Sequence, residues 1–288
     1  MRANIKPGVD EATENVKRDF RRYMCSTRNQ PIRERVTMSV QSGGKPIYGA
    51  TLGILMLEAR FPRIHGDIGN ATTWPFPVQY RVVKGASPDK IVRQDPMKMV
   101  DGFINAAQDL VESGCDGITT NCGFLTLTQD RISKALAVPV ATSSLMQIPM
   151  VQALMPAGKK VAVLTISKES LTLDHLRAAG VRDPESIPVF GTDGGRTFTR
   201  SFLEDCETID FAECRLDMLD AARQIVETDR DIGAIVLECT NMTPYAYDVR
   251  KATGLPVFSI YSYLKWFHES LVPDRFQLEL GDPRAGLY

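Results

Sequence analysis

Two cysteines occupy matching positions in a chain that reads as an internal duplication. Cys122 and Cys239 each follow a short apolar run, and they lie 117 residues apart. The same offset relates Pro139 to Pro256, so the correspondence extends over a whole strand, helix and second strand. A thiol can act as a general acid or a general base. Two related halves that each present one thiol predict a site between them, in which a proton is removed from one face of a carbon and returned to the other.

Short polar side chains follow the same predicted strand ends as the cysteines. Ligands of open parallel sheets bind at the carboxyl ends of the strands, and helix amino termini there favour anions. Singly, a serine or threonine at such a position can simply cap the next helix. Together they predict a receptor for a small carboxylate, with these binding residues: Arg60, Asn121, Gly123, Phe124, Ser143, Ser144, Thr165, Thr240 and Asn241.

Each cysteine of the pair precedes a predicted helix. We therefore expect the backbone N–H groups at that helix end to stabilise a thiolate and lower the thiol pKa. The remaining cysteines near the core elements, Cys115, Cys206 and Cys214, lack this placement and are interpreted as small buried hydrophobes.

A long loop from Glu58 to Pro77 is predicted to cover the cleft. Within it, Glu58 and Arg60 are candidates for orienting the substrate, although a surface ion pair explains an arginine here equally well. Trp74 and Phe76 are candidates for excluding water, with a place in the core as the alternative.

Strand and helix patterns alternate from Tyr48 onward, which is typical of parallel sheets covered on both faces. The fold class predicted is α/β, with two pseudo-symmetric three-layer α/β/α lobes, mainly parallel sheets, and the active site in the cleft between the lobes. The predicted parts are an N-terminal arm at 1–46, a first lobe at 47–155, a second lobe at 156–260, and a C-terminal helix and tail at 261–288 that pack across the lobes. The predicted strands are 51–57, 78–83, 117–120, 138–142, 160–165, 187–190, 234–237 and 256–260; the predicted helices are 100–113, 124–136, 168–179, 211–228, 244–253 and 261–271.

Composition excludes several classes of partner. The 288 residues carry a formal net charge of −1, so the positive excess of a nucleic-acid-binding protein is missing. No apolar run is long enough to cross a bilayer, and the charged amino terminus does not resemble a signal peptide, so we expect a cytoplasmic protein without membrane contact. The three histidines lack metal-ligand spacing, and neither a metal nor another cofactor is predicted. A homo-oligomer, dimer or tetramer, is expected.

From Tyr48 onward the chain resembles the aspartate/glutamate racemase superfamily. Within it, the short sequence motifs are most similar to those of the branch that contains the algal dimethylsulfoniopropionate lyase. The resemblance rests on Cys122 and Cys239-Thr240 and on the spacing of the lobes. It extends to other short runs: Gly66-Asp67, Arg81-Val82-Val83, Cys122-Gly123-Phe124, Ser143-Ser144-Leu145, Glu238-Cys239-Thr240 and Pro244-Tyr245.

The resemblance implies a cofactor-independent enzyme in which Cys122 and Cys239 act as acid and base on a proton next to the substrate carboxylate. Two outcomes stay open. Reprotonation from the other face gives an amino-acid racemase of the aspartate/glutamate type, whereas a leaving group on the beta carbon gives elimination of dimethyl sulfide and acrylate from dimethylsulfoniopropionate. A non-catalytic small-molecule binding protein is the third reading, but it has no need for a thiol from each half.

Overall fold

The computed structural model describes residues 43–274 and Phe276. Nearly all of the predicted N-terminal arm, and most of the tail after the last helix, lie outside the described residues. All contacts discussed below lie within the compact unit that begins at Lys45.

Two four-stranded parallel sheets form the framework, and both have the same strand order. The first sheet is ordered β2-β1-β3-β4 and the second β6-β5-β7-β8, so each lobe repeats one topology. The pairing of β3 with β4 at Ile118 and Val140 recurs, 117 residues later, in that of β7 with β8 at Ile235 and Val257. The predicted pair of pseudo-symmetric α/β lobes is confirmed. The strands are β1 (Leu52–Leu57), β2 (Val78–Val83), β3 (Gly117–Thr120), β4 (Val140–Ala141), β5 (Lys160–Thr165), β6 (Val189–Gly191), β7 (Ile232–Leu237) and β8 (Val257–Phe258).

Nine α-helices are described in residues 43–274. The sequence analysis did not predict three of them, α1, α4 and α6. Each is only six or seven residues long, too short to show a helical period. The helices are α1 (Pro88–Arg93), α2 (Val100–Ser113), α3 (Gln129–Ala135), α4 (Ile148–Leu154), α5 (Leu173–Ala178), α6 (Phe198–Leu203), α7 (Phe211–Thr228), α8 (Ala246–Thr253) and α9 (Ile260–Leu271).

After each cysteine of the pair the chain enters a 3-10 helix before the α-helix starts. Gly123–Thr128 and Thr240–Tyr245 have this form, so the helices predicted from Phe124 and Pro244 begin later as α-helices. Pro244 has no N–H to donate and lies within the second of these segments, which explains the delay there. The tighter winding leaves the first turn of backbone N–H groups close to the cysteines.

The core follows the pleat of the buried strands. Alternate residues of β1 face opposite sides, so Leu55 and Leu57 join a hydrophobic cluster that includes β5 and β7 of the second lobe. Leu52, Ile54 and Met56 face the other way, against the buried side of α9. Within the described residues, no helix combines the length and apolar character needed to cross a membrane.

The glycine-rich run after β6 forms a loop that a buried carboxylate holds in place. Asp217 on α7 accepts N–H donors from Arg196 at 2.6 Å, Thr197 at 2.8 Å and Phe198 at 2.9 Å, and it also pairs with the Arg196 guanidinium. These bonds explain the loop as a structural element of the second lobe.

Candidate active site

The two cysteines lie at equivalent ends of the two sheets and line one pocket. Cys122 is two residues beyond the end of β3, and Cys239 is two residues beyond the end of β7. The pocket is narrow, a cavity of about 20 Å³, and polar groups of Asn121, Glu238 and Asn241 lie beside the thiols. Apolar side chains form its other side: Leu57, Phe61, Pro88, Val92, Ile166, Phe202 and Leu203.

Hydrogen bonds tie the lobes together at this pocket. Ser144 of the first lobe donates to the carbonyl of Leu237 at 2.6 Å, at the end of β7. In the other direction, Thr240 donates to the carbonyl of Asn121 at 2.8 Å. Both hydroxyls were predicted to bind substrate, but each is committed to backbone of the opposite lobe. They position the two cysteine segments instead.

The residues before the cysteines perform matching tasks with different chemistry. Asn121 accepts the N–H of Leu57 at 2.8 Å and so links β3 to the end of β1. Glu238 holds the same place in the second lobe, where its Oε2 accepts the Thr165 hydroxyl at 2.8 Å and faces the N–H of Ile166 at 3.5 Å. The carboxyl has one oxygen left over. Oε1 of Glu238 is buried and has no hydrogen-bond partner among the described residues.

Gly123 lets the segment after Cys122 come close to Glu238. An added Cβ at this position would lie 2.5 Å from the Glu238 carbonyl oxygen and 2.9 Å from its carboxyl carbon, with Oε1 also in contact. Such contacts are closer than real Cβ atoms make. The predicted site residue Gly123 is therefore a second point, beside the Thr240–Asn121 hydrogen bond, at which the Cys122 segment and the Cys239 segment touch.

Burial controls the ionisation of the site. Removal from water raises the pKa of Glu238 to about 7. The same cause, reinforced by the Glu238 charge, raises the pKa of both Cys122 and Cys239 above that of a free thiol. The expectation that helix ends lower the thiol pKa is wrong in its net effect. The N–H groups of Phe124 and Leu125 do lower the pKa of Cys122, but burial outweighs them.

A chain of hydrogen bonds reaches Cys239 from a buried ion pair. Arg63 and Asp67 form the pair, with Nη1 of the arginine 2.9 Å and 3.2 Å from the two carboxylate oxygens. Oδ2 of Asp67 accepts the side-chain amide N–H of Asn241 at 2.6 Å. The thiol of Cys239 in turn donates to Oδ1 of Asn241 at 3.5 Å.

Several other predicted positions lie away from the pocket. Arg60 is on the surface, its side chain 80% exposed and paired with Glu207, which corrects its assignment as a substrate ligand. Glu58 pairs with Lys84 and accepts the N–H of Gly85, because the chain turns outward after β1.

Three further predicted ligands are buried, and their side chains contact other parts of the protein. Ser143 caps the segment that follows it by accepting the N–H of Leu145 at 3.1 Å. Phe124 is fully buried with its ring 5.0 Å from that of His175, and Thr165 is bonded to Glu238. Of the predicted binding residues, Asn121 and Asn241 are the ones that line the pocket with the cysteines.

The loop from Glu58 to Pro77 contributes a different aromatic residue from the two expected. Trp74 packs in the core beside α9, and Phe76 stacks on His268 at 3.5 Å between ring centroids. Phe61 is the ring that borders the pocket, and it meets Phe202 of the second lobe edge to face at 5.0 Å.

Sequence reasoning missed Arg63, Asp67 and Glu238 as parts of the site. Glu238 carried a usable signal, because it precedes the second cysteine just as Asn121 precedes the first. Asp67 stood in the Gly66-Asp67 run without an assigned role. Within residues 43–274 and Phe276, no cluster of histidine, cysteine, aspartate or glutamate has the arrangement of a metal site.

Comparison with known proteins places this site in context. No protein-family model matches the chain. It is 29% identical to a dimethylsulfoniopropionate lyase of Durusdinium sp. clade D, over 83% of this chain and 78% of that protein. It is 31% identical to dimethylsulfoniopropionate lyase 7 of Emiliania huxleyi, over 72% of this chain and 63% of that protein, and 32% identical to lyase 3 of the same organism, over 72% and 56%. The chain thus spans less than two thirds of the two Emiliania proteins.

Solved structures share the fold at low sequence identity. A glycine-to-cysteine mutant of arylmalonate decarboxylase in its sulfate-associated form matches with a TM-score of 0.53 at 16% identity, over 80% of this chain and 97% of that one. Allantoin racemase from Pseudomonas fluorescens matches with a TM-score of 0.52 at 17% identity, over 77% and 90%. Aspartate racemase from Picrophilus torridus gives 0.51 at 15% identity, over 80% and 96%. The chain thus has the fold of these decarboxylase and racemase structures and is an enzyme similar in sequence to dimethylsulfoniopropionate lyases.

Proposed function

We propose that the chain catalyses β-elimination from dimethylsulfoniopropionate or a close sulfonium acid. A proton leaves the carbon next to the carboxylate, the electron pair of that C–H bond forms the carbon–carbon double bond, and the C–S bond breaks with its pair on sulfur. The products are acrylate, dimethyl sulfide and one proton. The observation that carries the proposal is the convergence of Cys122, Cys239 and Glu238 on one pocket, in a chain similar in sequence to proteins named dimethylsulfoniopropionate lyases.

Cys122 is the proposed base. The N–H groups of Phe124 and Leu125 favour its thiolate, and so does the positive charge of Arg63. By contrast, the Cys239 thiol donates to Asn241. A thiol held in this way remains protonated and does not compete with Cys122 as the base.

Glu238 is the proposed acceptor of the thiol proton. Its partnerless Oε1 lies against Gly123, the residue after Cys122. Moving a proton from Cys122 to Glu238 leaves the total charge of the pocket unchanged, so the step adds no new buried charge. The raised pKa of Glu238, about 7, makes it able both to take this proton and to release it to water near neutral pH.

The carboxylate of the substrate has a candidate partner in Arg63. Nη2 of this residue is buried and has no hydrogen-bond partner among the described residues, although Nη1 is engaged with Asp67. A guanidinium N–H is a strong donor to a carboxylate oxygen. Its charge also favours the enediolate that forms when the α proton is lost.

Elimination is favoured over racemisation by the difference between the lobes. A racemase uses either thiol as the base, depending on the enantiomer that it binds. Here the residue before one cysteine is a neutral amide, Asn121, and the residue before the other is a carboxyl, Glu238. Of this matched pair of residues, Glu238 alone is a proton acceptor, which suits a reaction with a single base.

Racemisation remains the second candidate because a thiol still reaches the pocket from each lobe. The two activities are separated by incubating the protein in deuterium oxide with dimethylsulfoniopropionate, single enantiomers of aspartate and glutamate, and a hydantoin. Proton NMR then reports exchange and acrylate, and circular dichroism reports inversion. Formation of acrylate supports elimination; inversion of an amino acid without acrylate contradicts it.

Cysteine variants test the assignment of residues. Cys122→Ser and Cys239→Ser are expected to lower dimethyl sulfide release by about 10² to 10⁴-fold, since each removes an acid or base group. Cys206→Ser is the matched control, because this cysteine does not line the pocket and is expected to leave the rate unchanged. Full activity in either pocket variant would disprove the two-cysteine mechanism.

The domain boundaries, the homo-oligomeric state, the cytoplasmic location and the independence from cofactors stay predictions. Gel filtration with light scattering measures the oligomeric state. Assay of protein dialysed against a chelator tests whether activity needs a metal ion.

A further inference from the structure

Asn241 presents a fixed end of its amide to Cys239. A side-chain amide has one accepting oxygen and one donating nitrogen. The nitrogen donates to Asp67 at 2.6 Å, so the oxygen is the atom that faces the Cys239 sulfur at 3.5 Å. An oxygen in this place accepts the proton of an S–H group. It offers no stabilisation to a thiolate.

Asp67 is itself held from three sides, which keeps the amide from turning over. Besides Arg63 and Asn241, it accepts the N–H of Gly69 at 2.7 Å. Its side chain is 3% exposed. The guanidinium carbon of Arg63 lies 4.4 Å from the centre of the Phe61 ring, so the arginine is fixed as well. If the amide rotated, its oxygen would face the Asp67 carboxylate in a buried site, which is strongly unfavourable.

The charged groups around Cys239 also favour its protonated form. Glu238, Cys122 and Asp67 each raise the pKa of Cys239 when they are ionised, in addition to the effect of burial. The backbone N–H of Asn241 acts in the opposite sense and lowers it. Asp67 therefore favours the protonated thiol in two ways, through its own charge and through the orientation that it gives to Asn241.

We propose that Arg63, Asp67 and Asn241 form a positioning chain that holds Cys239 as a thiol, leaving Cys122 as the only cysteine available to act as base. The inference deepens the proposed function and rests on it for its catalytic meaning. The positioning chain itself is a property of the folded protein. Asp67 acts through Asn241 and is a positioning residue, and Arg63 holds Asp67 in addition to the substrate contact proposed above.

The test measures the protonation of Cys239 directly. Wild-type protein and the Asp67→Asn variant are alkylated with iodoacetamide over a range of pH, and mass spectrometry gives the rate at each cysteine. The Asn side chain at position 67 has no charge and lets the Asn241 amide turn its nitrogen toward the sulfur. We expect the Cys239 thiol pKa to fall by about one unit, which is about a tenfold higher rate at Cys239 below its pKa.

Matched variants separate this effect from a general loss of structure. Asp217→Asn also removes a buried aspartate that is paired with an arginine, but one that does not line the pocket of Cys122 and Cys239, and it is expected to leave the Cys239 rate unchanged. Asp67→Glu keeps the charge and is expected to restore the slow rate. The rate at the buried Cys115 reports unfolding in every variant.

A second variant and a second measurement apply if Asp67→Asn does not fold. Asn241→Ser places a hydroxyl that can donate to the sulfur, and it is expected to raise the Cys239 rate as well. Infrared difference spectra, taken with and without Cys239, report the S–H band without any need for a reagent to enter the pocket. An unchanged rate and S–H band at Cys239 in whichever of Asp67→Asn and Asn241→Ser folds overturns the proposal.

The outcome is distinguishable from failure of the proposed function. If the reactivity of Cys239 shifts as expected while wild-type protein releases no dimethyl sulfide, the positioning chain stands and the substrate assignment fails. If dimethyl sulfide is released but neither variant changes the reactivity of Cys239, the proposed function stands and the positioning chain is refuted.

Discussion

Replacing Gly123 with alanine tests the close approach between the two cysteine segments. The new methyl group would lie 2.5 Å from the carbonyl oxygen of Glu238, about 1 Å inside ordinary contact. That oxygen cannot move freely, since it also accepts the Ser144 hydroxyl at 3.1 Å. Overpacking at a rigid contact costs about 1 to 3 kcal/mol. For a domain of this size, about 2 kcal/mol corresponds to a fall in Tm of about 6 °C.

The same displacement is expected to damage catalysis more than stability. A shift of about 1 Å between reacting groups can cost about 10²-fold in rate. The assays are thermal unfolding followed by circular dichroism, and steady-state kinetics of dimethyl sulfide release. Gly194→Ala is the matched control, because an added Cβ there meets nothing within 4 Å. If Gly123→Ala and Gly194→Ala share the same Tm and the same kcat, the close approach has no energetic meaning and the reasoning is refuted.

Three further substitutions have defined outcomes. Glu238→Gln is expected to abolish proton acceptance and lower activity by about 10²-fold or more. Burial raises the pKa of Glu238 to about 7, so the folded protein binds this proton more tightly than the unfolded chain does. The stabilisation that results is complete below about pH 4.5 and is lost as the pH rises through 7. The variant should therefore gain stability over wild type, by up to about 3 kcal/mol, between pH 4.5 and 8 in urea titrations; a constant difference would contradict this. Arg63→Lys loses the two-bond contact with Asp67 and should lower kcat and Tm, whereas Arg60→Lys, at an exposed site, should change neither; equal effects would refute the distinction. Asp217→Asn should cost about 1 to 3 kcal/mol in unfolding free energy while leaving kcat intact, and a loss of kcat without a loss of stability would argue against a purely structural role.

The architecture was accessible from sequence because it depends on periodic patterns. Alternating apolar strands and helical segments, repeated at a constant offset, predicted two lobes with one topology. The same offset placed Cys122 and Cys239 at equivalent strand ends, and the structure brings both to one pocket. Short helices such as α1 and α4 were not predicted, since six or seven residues carry too little periodicity.

The polar part of the site could not be derived because it depends on which way each side chain points. Ser144 and Thr240 follow strand ends as predicted, yet their hydroxyls are used to join the lobes. Arg60 and Arg63 are three residues apart in one loop, and only the path of that loop decides which of them is buried. The direction of the thiol pKa shifts depends on burial, which strand and helix patterns do not report.

The hydrophobic cluster that runs from Leu55 through Val163 to Val236 has a consequence for folding. It joins both sheets into one continuous interior, so neither half can withdraw without exposing the apolar surface of the other. We expect a single cooperative unfolding transition. An ancestral chain with one lobe would have left this surface open, and association with a copy of itself is the direct way to cover it. The contact that now forms within one polypeptide would then have been a subunit interface before the duplication fused its two sides.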